Sequence, residues 1–388
     1  MIRFAIPAIG GQEWFGGWMY MRNVVRLLAL YGEPNIEVCL FIGQDQASDP
    51  FVSELRVLPR VNVYIDPAFD SERRRSGKAR TILTGRKAAV LDIYQREQID
   101  VALDWATYYG WNCEIPSIAW IPDFQHRALP HLFGRKAWFS REIGFRLQIA
   151  ASSKILLSSA AAEYDCHRYY PASRGKTHVS RFAVPVDDWP EPVAAEQMLA
   201  KAGIPRDFVF MPNQLWSHKN HQVAIQAAAL LAQRHSGRCI VATGRGSDPR
   251  RPSYRDELRA MIDQSKAGSN FLLLDGVDHE LVKAMMVTTN ALLNPSRFEG
   301  WSTTVEEAKA AGTPMLLSDL PVHREQAPGA MFFAPDDFQT LADLIEVVPI
   351  RTNETVQCAI QQARPLNLRQ QKDFSMSVSS LVHKVASL

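Results

Sequence analysis

The stretch NPSRFEGWSTTVEEAKAAGTP, residues 294–314, carries two acids, Glu299 and Glu307, with seven residues between them. Upstream lies ALLNPS, an apolar run ending in Asn-Pro-Ser. Downstream, TTVEEAKAAG reads as a helix with Ser or Thr at its start and Gly312 as its stop. RFEGWS is then a strand-to-helix loop whose backbone N–H groups point outward at a helix N-terminus. Those donors, reinforced by the helix dipole, suit a phosphate. Glu299 stands at the mouth of the loop and Glu307 a turn into the helix, each able to accept hydrogen bonds from hydroxyls. A ligand with a hydroxylated part, a phosphate and a second hydroxylated part would use all three features. A sugar nucleotide is built that way.

Other residues fit the same ligand. In FMPNQLWSHKNH (residues 210–221) Lys219 follows an apolar strand, and a fixed ammonium there would offset charge on a diphosphate leaving group. In GGQEWFGGWMYMRN, Gly16-Gly17 stand directly before a helical pattern, where the missing Cβ atoms let backbone approach a ligand; Gly10-Gly11 compete for that place. SIAWIPDFQHRALPHLF ends a strand at Pro122 and puts Asp123 and His126 in the following loop. His126 is a residue type that exchanges protons near neutral pH. ATGRGSDP, with Gly244, is a weaker glycine signal. No Asp-x-Asp occurs, so a carboxylate-clamped metal has no candidate ligands. No strand–GxGxxG–helix with a following acid points to NAD chemistry.

Two series of elements must position these residues. Short apolar runs alternate with helical patterns, the signature of parallel α/β architecture. IRFAIPA, IEVCLFIG, VNVYI, VALDWA, SIAWIPD and KILLSS read as strands of a first domain, with helices at WMYMRNVVRLLALYG and TGRKAAVLDIYQREQ. The pattern breaks into prolines and acids around SRFAVPVDDWPEPVAAEQ, which sets the boundary: 1–185, then 186–371. DFVFMPNQ, RCIVATGRG, NFLLLDGV, ALLNPS and TPMLLSD supply the second set of strands. The tail, about 372–388, has apolar residues at 374, 378, 381, 382 and 385, a helical stripe in need of a surface. Two doubly wound domains in tandem predict a cleft between them, with ligands at the carboxyl ends of the strands.

Lys+Arg 43 against Asp+Glu 41 gives a net charge of +2, which argues against a nucleic-acid partner. RRRSGKARTILTGRK (Arg73–Lys87) is a local basic exception, read as a solvated loop or as a surface for anionic lipid or an anionic acceptor. Five scattered cysteines without CxxC spacing read as reduced thiols in a cytoplasmic protein. The opening MIRFAIPAIGG is expected to be a first strand and not a signal peptide. No run of about 18 apolar residues is present, so no span is expected, and peripheral contact at the inner face of a membrane stays open.

The segment FLLLDGVDHELVKAMMVTTNALLNPSRFEGWSTTVEEAKAAGTPMLLSDLPVHREQ (residues 271–326) resembles, in order and spacing, the Glu-x7-Glu region of glycosyltransferase family 4, the glycosyl transferases group 1. These are retaining glycosyltransferases of two Rossmann-like domains facing each other (GT-B). The resemblance implies that Glu299 meets the donor sugar's hydroxyls and Glu307 the nucleotide ribose. Gly300, Trp301, Ser302, Thr303 and Thr304 would hold phosphate and sugar through their amides. Lys219 would face the diphosphate, Gly16 and Gly17 the donor phosphate, Gly244 the nucleotide, and the backbone around Val277 the base. Asp123 and His126 would lie at the donor sugar. Gln214 stands where relatives have Arg, leaving Arg245 or Arg297 to compensate, and Pro122 stands where they have His. FSM (residues 374–376) resembles the family's Phe-Ser-Trp before a terminal helix that crosses back onto the N-terminal domain.

What the resemblance implies is a metal-independent retaining glycosyltransferase, needing no cofactor beyond its nucleotide-diphosphate sugar, whose base is undetermined. The acceptor would be a saccharide or a lipid-linked hydroxyl, as in polysaccharide or glycoconjugate biosynthesis. Trp14, Phe15, Trp18, Trp105, Tyr108, Tyr109 and Trp111 are candidates to stack on it. The competing readings are a sugar-nucleotide epimerase or phosphorylase on the same scaffold, and a non-catalytic sugar-nucleotide-binding subunit.

Overall fold

Strands without polar alternation bury both faces, and the central strands of both sheets are such runs. The computed structural model describes every residue except 9–14, 73–77, 106–107, 186–188, 245 and 247. The chain divides into two compact units. The first comprises Met1–Arg127, Arg135–Pro185 and Arg369–Leu388, the second Ala128–Gly134 and Val186–Leu368.

The first unit holds β1 (Ile2–Pro7), β2 (Ile36–Ile42), β3 (Val61–Ile65), β4 (Val101–Asp104), β5 (Ser117–Trp120), β6 (Lys154–Leu157) and β7 (Thr177–Val179). All pairings are parallel, in the order β3-β2-β1-β4-β5-β6-β7. The second unit holds β8 (Phe208–Pro212), β9 (Cys239–Thr243), β10 (Phe271–Leu274), β11 (Ala291–Asn294), β12 (Met315–Ser318) and β13 (Met331–Phe333). Its order is β10-β9-β8-β11-β12-β13, again parallel throughout. Alternation along β8 feeds two cores. Val209 and Met211 pack with Ala224, Ala227 and Leu231 of the helix His221–Gln233. Phe208 and Phe210 pack on the other face with Met285, Val305 and Ala308.

In each sheet the strand order reverses once, between β1 and β4 and between β8 and β11, and ligands of such sheets bind outside the strand carboxyl ends at that point. The loops after β8, β9, β10, β11 and β12 carry Lys219, Gly244, Val277, Glu299 and Asp319. All therefore leave the second sheet by one edge.

The structure differs from the sequence reading in two respects. β7 and β13 went unread; each is a three-residue edge strand, too short to show a pattern. The tail helix is longer than expected, one element of 34 residues from Asn353 to Ala386 that runs through Pro365. Its final part, from Arg369, belongs to the first unit, where Phe374, Val378, Leu381, Val382 and Val385 are all buried. There Ser375 Oγ donates to Leu27 O at 3.0 Å and Phe374 meets the Phe182 ring at 5.8 Å.

Helix C-termini leave carbonyls that need donors. Arg60 answers this in the first unit, donating to Ala29 O at 2.8 Å at the end of the helix Phe15–Tyr31. In the second unit Arg351, only 8% exposed, donates to Val287 O at 3.0 Å and Thr289 O at 3.1 Å, and to Gly312 O at 3.3 Å. Gly312 itself has φ +62°, and a Cβ there would stand 2.5 Å from Ala359 O, so the helix stop admits no side chain. Replacing Arg351 by Ala orphans three carbonyls. We expect a loss of about 2–4 kcal/mol, measured as an earlier unfolding transition of the full chain in urea.

Candidate functional site

The loop after β8 and the loop after β11 meet through one ion pair. Lys219 Nζ donates to Glu299 Oε1 at 2.6 Å, the two side chains being 17% and 8% exposed. Lys219 ends a tight turn, Ser217–Lys219, closed by Asn220 at φ +57°, whose side-chain Nδ2 donates to Pro335 O at 2.6 Å. Glu299 Oε1 also accepts from Ser296 Oγ at 2.7 Å and from Asn294 Nδ2 at 3.5 Å. Burial pushes the Glu299 carboxyl up, but Lys219 outweighs it, with smaller help from His218 and His323, and holds the group down at about 2. Glu299 is thus a carboxylate at any physiological pH. Its other oxygen, Oε2, has no hydrogen-bond partner among the described residues.

The helix after this loop spans Thr303–Ala310, with Ser302 as its N-cap residue, and the Ser302 side chain makes no capping bond. Its Oγ accepts instead from Asn294 Nδ2 at 2.9 Å, leaving the helix N–H groups uncapped. Of the amides expected to face a ligand, that of Ser302 is engaged, donating to Gln326 Oε1 at 3.1 Å. Gln326 is buried and also donates to Ser302 O and to Glu306, so it ties the loop down from behind. Gly300, Trp301 and Thr304 are half-buried and Thr303 is exposed. Glu307, half-buried on this helix, has neither ion pair nor side-chain hydrogen bond among the described residues. Burial alone lifts its carboxyl to about 7.

Other expected residues fall around the same sheet edge. Gln214 is exposed in the loop after β8. Gly244 follows β9, where a Cβ would lie 2.5 Å from Asn213 O; only glycine lets these two loops touch. Val277 is half-buried against the Phe208–Phe210 core. Arg297, a proposed substitute for the missing Arg, is engaged elsewhere, with Asp336 at 2.6 Å, and Arg245 lies outside the described residues. The reading missed Asp248 and Arg250. Asp248, 1% exposed, accepts from Ser217 N at 3.0 Å and Ser217 Oγ at 3.1 Å, and pairs with Arg250 at 2.8 Å. Burial raises its carboxyl, but Arg250 and backbone donors carry it down to about 2. Arg250 Nη2 comes within 3.3 Å of His218 Nδ1, and its guanidinium lies over Trp216 at 5.6 Å and over Phe133 at 5.1 Å. This pair fixes the turn that ends in Lys219. Both residues lie in or beside ATGRGSDP, where the glycines drew the eye and the acid did not.

The first unit departs more from expectation. His126 is fully buried, not loop-exposed, with Nε2 3.2 Å from Glu142 Oε2 and 3.1 Å from Tyr170 Oη. Burial drives its pKa down against the pull of Glu142, which favours the neutral ring. Asp123 spends its carboxylate on Arg141 at 2.6 Å and on Gln125 N at 2.9 Å. Gly16 and Gly17 do not precede the helix; it begins at Phe15 and contains both. Gly10-Gly11 and Trp14 lie outside the described residues. Trp18, Trp105 and Tyr109 are core, which removes them as stacking platforms, while Trp111 is 52% exposed. The basic stretch is helical over Lys78–Thr84, and Arg86 pairs with Asp92 at 2.8 Å.

Two parallel doubly wound units sharing a terminal helix define the GT-B glycosyltransferase fold. Over its whole length the chain matches Anabaena HepE, solved in complex with UDP and glucose, at a TM-score of 0.69 and 15% identity, covering 100% of this chain and 99% of that one. Within that fold, residues 196–355 match the family model for glycosyl transferases group 1. Among curated proteins, the D-inositol 3-phosphate glycosyltransferase of Jonesia denitrificans is 25% identical over 191 residues, 47% of this chain and 44% of that protein. The O-antigen chain mannosyltransferase RfbU of Salmonella typhimurium is 28% identical over 138 residues, 34% of this chain and 37% of its own length. The chain thus matches less than half the length of either curated relative.

The two acids of the opening motif differ in setting. In carbon-13 NMR of the ligand-free protein, assigned with Glu299→Gln and Glu307→Gln, the Glu307 carboxyl is expected to titrate near pH 7, being protonated below it. Glu299 should stay ionised until about pH 2. Coincident midpoints near 4.5 would contradict this electrostatic picture.

Proposed function

We propose that this protein transfers a sugar, with retention of anomeric configuration and without a metal, from a nucleoside-diphosphate sugar to a hydroxyl acceptor. The observation that carries the reading is the Lys219–Glu299 pair beside the uncapped helix N-terminus. The match to glycosyl transferases group 1 supports it, and UDP with glucose in HepE supports the donor class.

The donor diphosphate lies against the amides of the helix beginning at Thr303, where the helix dipole favours negative charge. Lys219 is shared between Glu299 and the phosphate, so the ammonium is already in place when the sugar–phosphate bond breaks and charge develops on the leaving group. Glu299 Oε2 accepts from a hydroxyl of the sugar and fixes the ring. Glu307, ionised above about pH 7, accepts from the ribose hydroxyls. The acceptor oxygen attacks the face from which the diphosphate departs, and a departing phosphate oxygen takes its proton. Gln214 leaves Lys219 and the helix amides with more of the phosphate charge than an arginine at that place would.

The names of the two curated relatives, an inositol-phosphate and an O-antigen enzyme, support a glycoconjugate or polysaccharide acceptor. No described helix is long and apolar enough to cross a membrane. We place the protein in the cytoplasm, reaching a lipid-linked acceptor by peripheral contact.

Screening UDP, GDP and their sugars by thermal shift identifies the donor. With that donor, Glu299→Ala and Lys219→Ala are each expected to lower transfer by about 10²-fold or more while the far-UV circular dichroism is unchanged. Near-normal turnover in either variant overturns the assignment, as does isomerised donor or free sugar phosphate as the product.

A further inference from the structure

One buried ring has a proton inventory that closes on Glu299. His323, fully buried, lies in the first turn of the short helix Pro321–Gln326 after β12. Its Nδ1 lies 2.8 Å from Ser318 O, which can only accept, so Nδ1 carries the ring proton. Ser318 Oγ is 3.3 Å from the same nitrogen and 2.6 Å from Ser296 O. Its single proton goes to that carbonyl, so toward His323 the hydroxyl accepts. Ser296 Oγ in turn stands 2.7 Å from Glu299 Oε1 and 2.7 Å from Asn294 Oδ1; its single proton goes to the carboxylate, and Asn294 Oδ1 keeps the Ser296 N–H at 3.3 Å. His323 Nε2 is left as an acceptor without a partner among the described residues. The ring is close enough to Glu299 and Lys219 for both charges to act on it.

We propose that His323 is a positioning residue for the Glu299–Lys219 pair, acting through Ser318 and Ser296. With its Nδ1–H shared between Ser318 O and Ser318 Oγ, the ring turns the Ser318 proton onto Ser296 O. That holds the Ser296 backbone, and with it the hydroxyl that supports Glu299 Oε1. Without the ring, the Ser318 hydroxyl is free to rotate, and the carboxylate loses the fixed side of its cradle. The contribution to turnover rests on the function proposed above; the contribution to geometry does not.

Asparagine at 323 can reproduce the Nδ1 donor but not Nε2, glutamine the reverse, and phenylalanine neither. Crystal structures of the ligand-free wild type, His323→Asn and His323→Phe read the geometry with no substrate. The Lys219–Glu299 contact is expected to persist in the first two and to lengthen beyond 4 Å in the third. With the donor from the screen, His323→Phe and His323→Gln are expected to lose roughly 30-fold in kcat, with UDP or GDP affinity within about 3-fold of wild type. Asn should restore most of the rate. An intact contact in the phenylalanine variant overturns the proposal, and so does rescue by Gln in place of Asn, which would put Nε2 on the substrate directly. If no sugar nucleotide binds or reacts, the function reading fails while the crystallographic arm still decides the role of His323.

Discussion

A carboxylate that is 8% exposed carries a desolvation penalty that a cation set against it offsets, and the second unit is organised around supplying that cation. Lys219 lies 80 residues before Glu299 in the chain, on the neighbouring strand's loop. Bringing them to 2.6 Å requires β8 and β11 to be adjacent, which is where the sheet order reverses. It also requires a rigid turn under the lysine. Asp248 and Arg250 hold that turn from one side and Asn220 from the other. Behind the carboxylate, Asn294 and Ser296 present donors from the end of β11. The parallel sheet is thus what lets two distant loops share one buried charge pair.

The same logic separates the two acids of the motif. They lie on one loop and one helix, yet one is pinned as an anion and the other is lifted to the neutral range. Nothing in the residue types distinguishes them; the difference is a partner. Glu306, between them, is a third case, buried and matched to Lys309 at 2.9 Å and to Gln326 at 2.8 Å, and belongs to the support of the helix.

Much of this was legible in the sequence. The uniformly apolar strands announced buried parallel sheets, and the Asn-Pro-Ser ending of β11 with Gly312 framed the loop and helix that hold both acids. What escaped reading was tertiary. His126 carries no mark in the sequence of the Glu142 and Tyr170 side chains that enclose it, which come from 16 and 44 residues away. Asp248 looked like the tail of a glycine motif because its partner Ser217 lies 31 residues earlier. Trp18, Trp105 and Tyr109 were offered as surfaces, since an aromatic residue in a polar context reads alike whether it faces solvent or a core. The two edge strands were lost to length alone.

The closing helix ends in a unit other than the one in which it starts, so the first unit is made of pieces from both ends of the chain. Synthesis therefore delivers the helix segment from Arg369, which belongs to the first unit, only after the Val186–Leu368 part of the second unit has been made. Until then the apolar bed that will receive Phe374, Val378 and Leu381 stays bare, and a ribosome stalled or a chain clipped ahead of Arg369 would leave that bed open to chaperones and self-association.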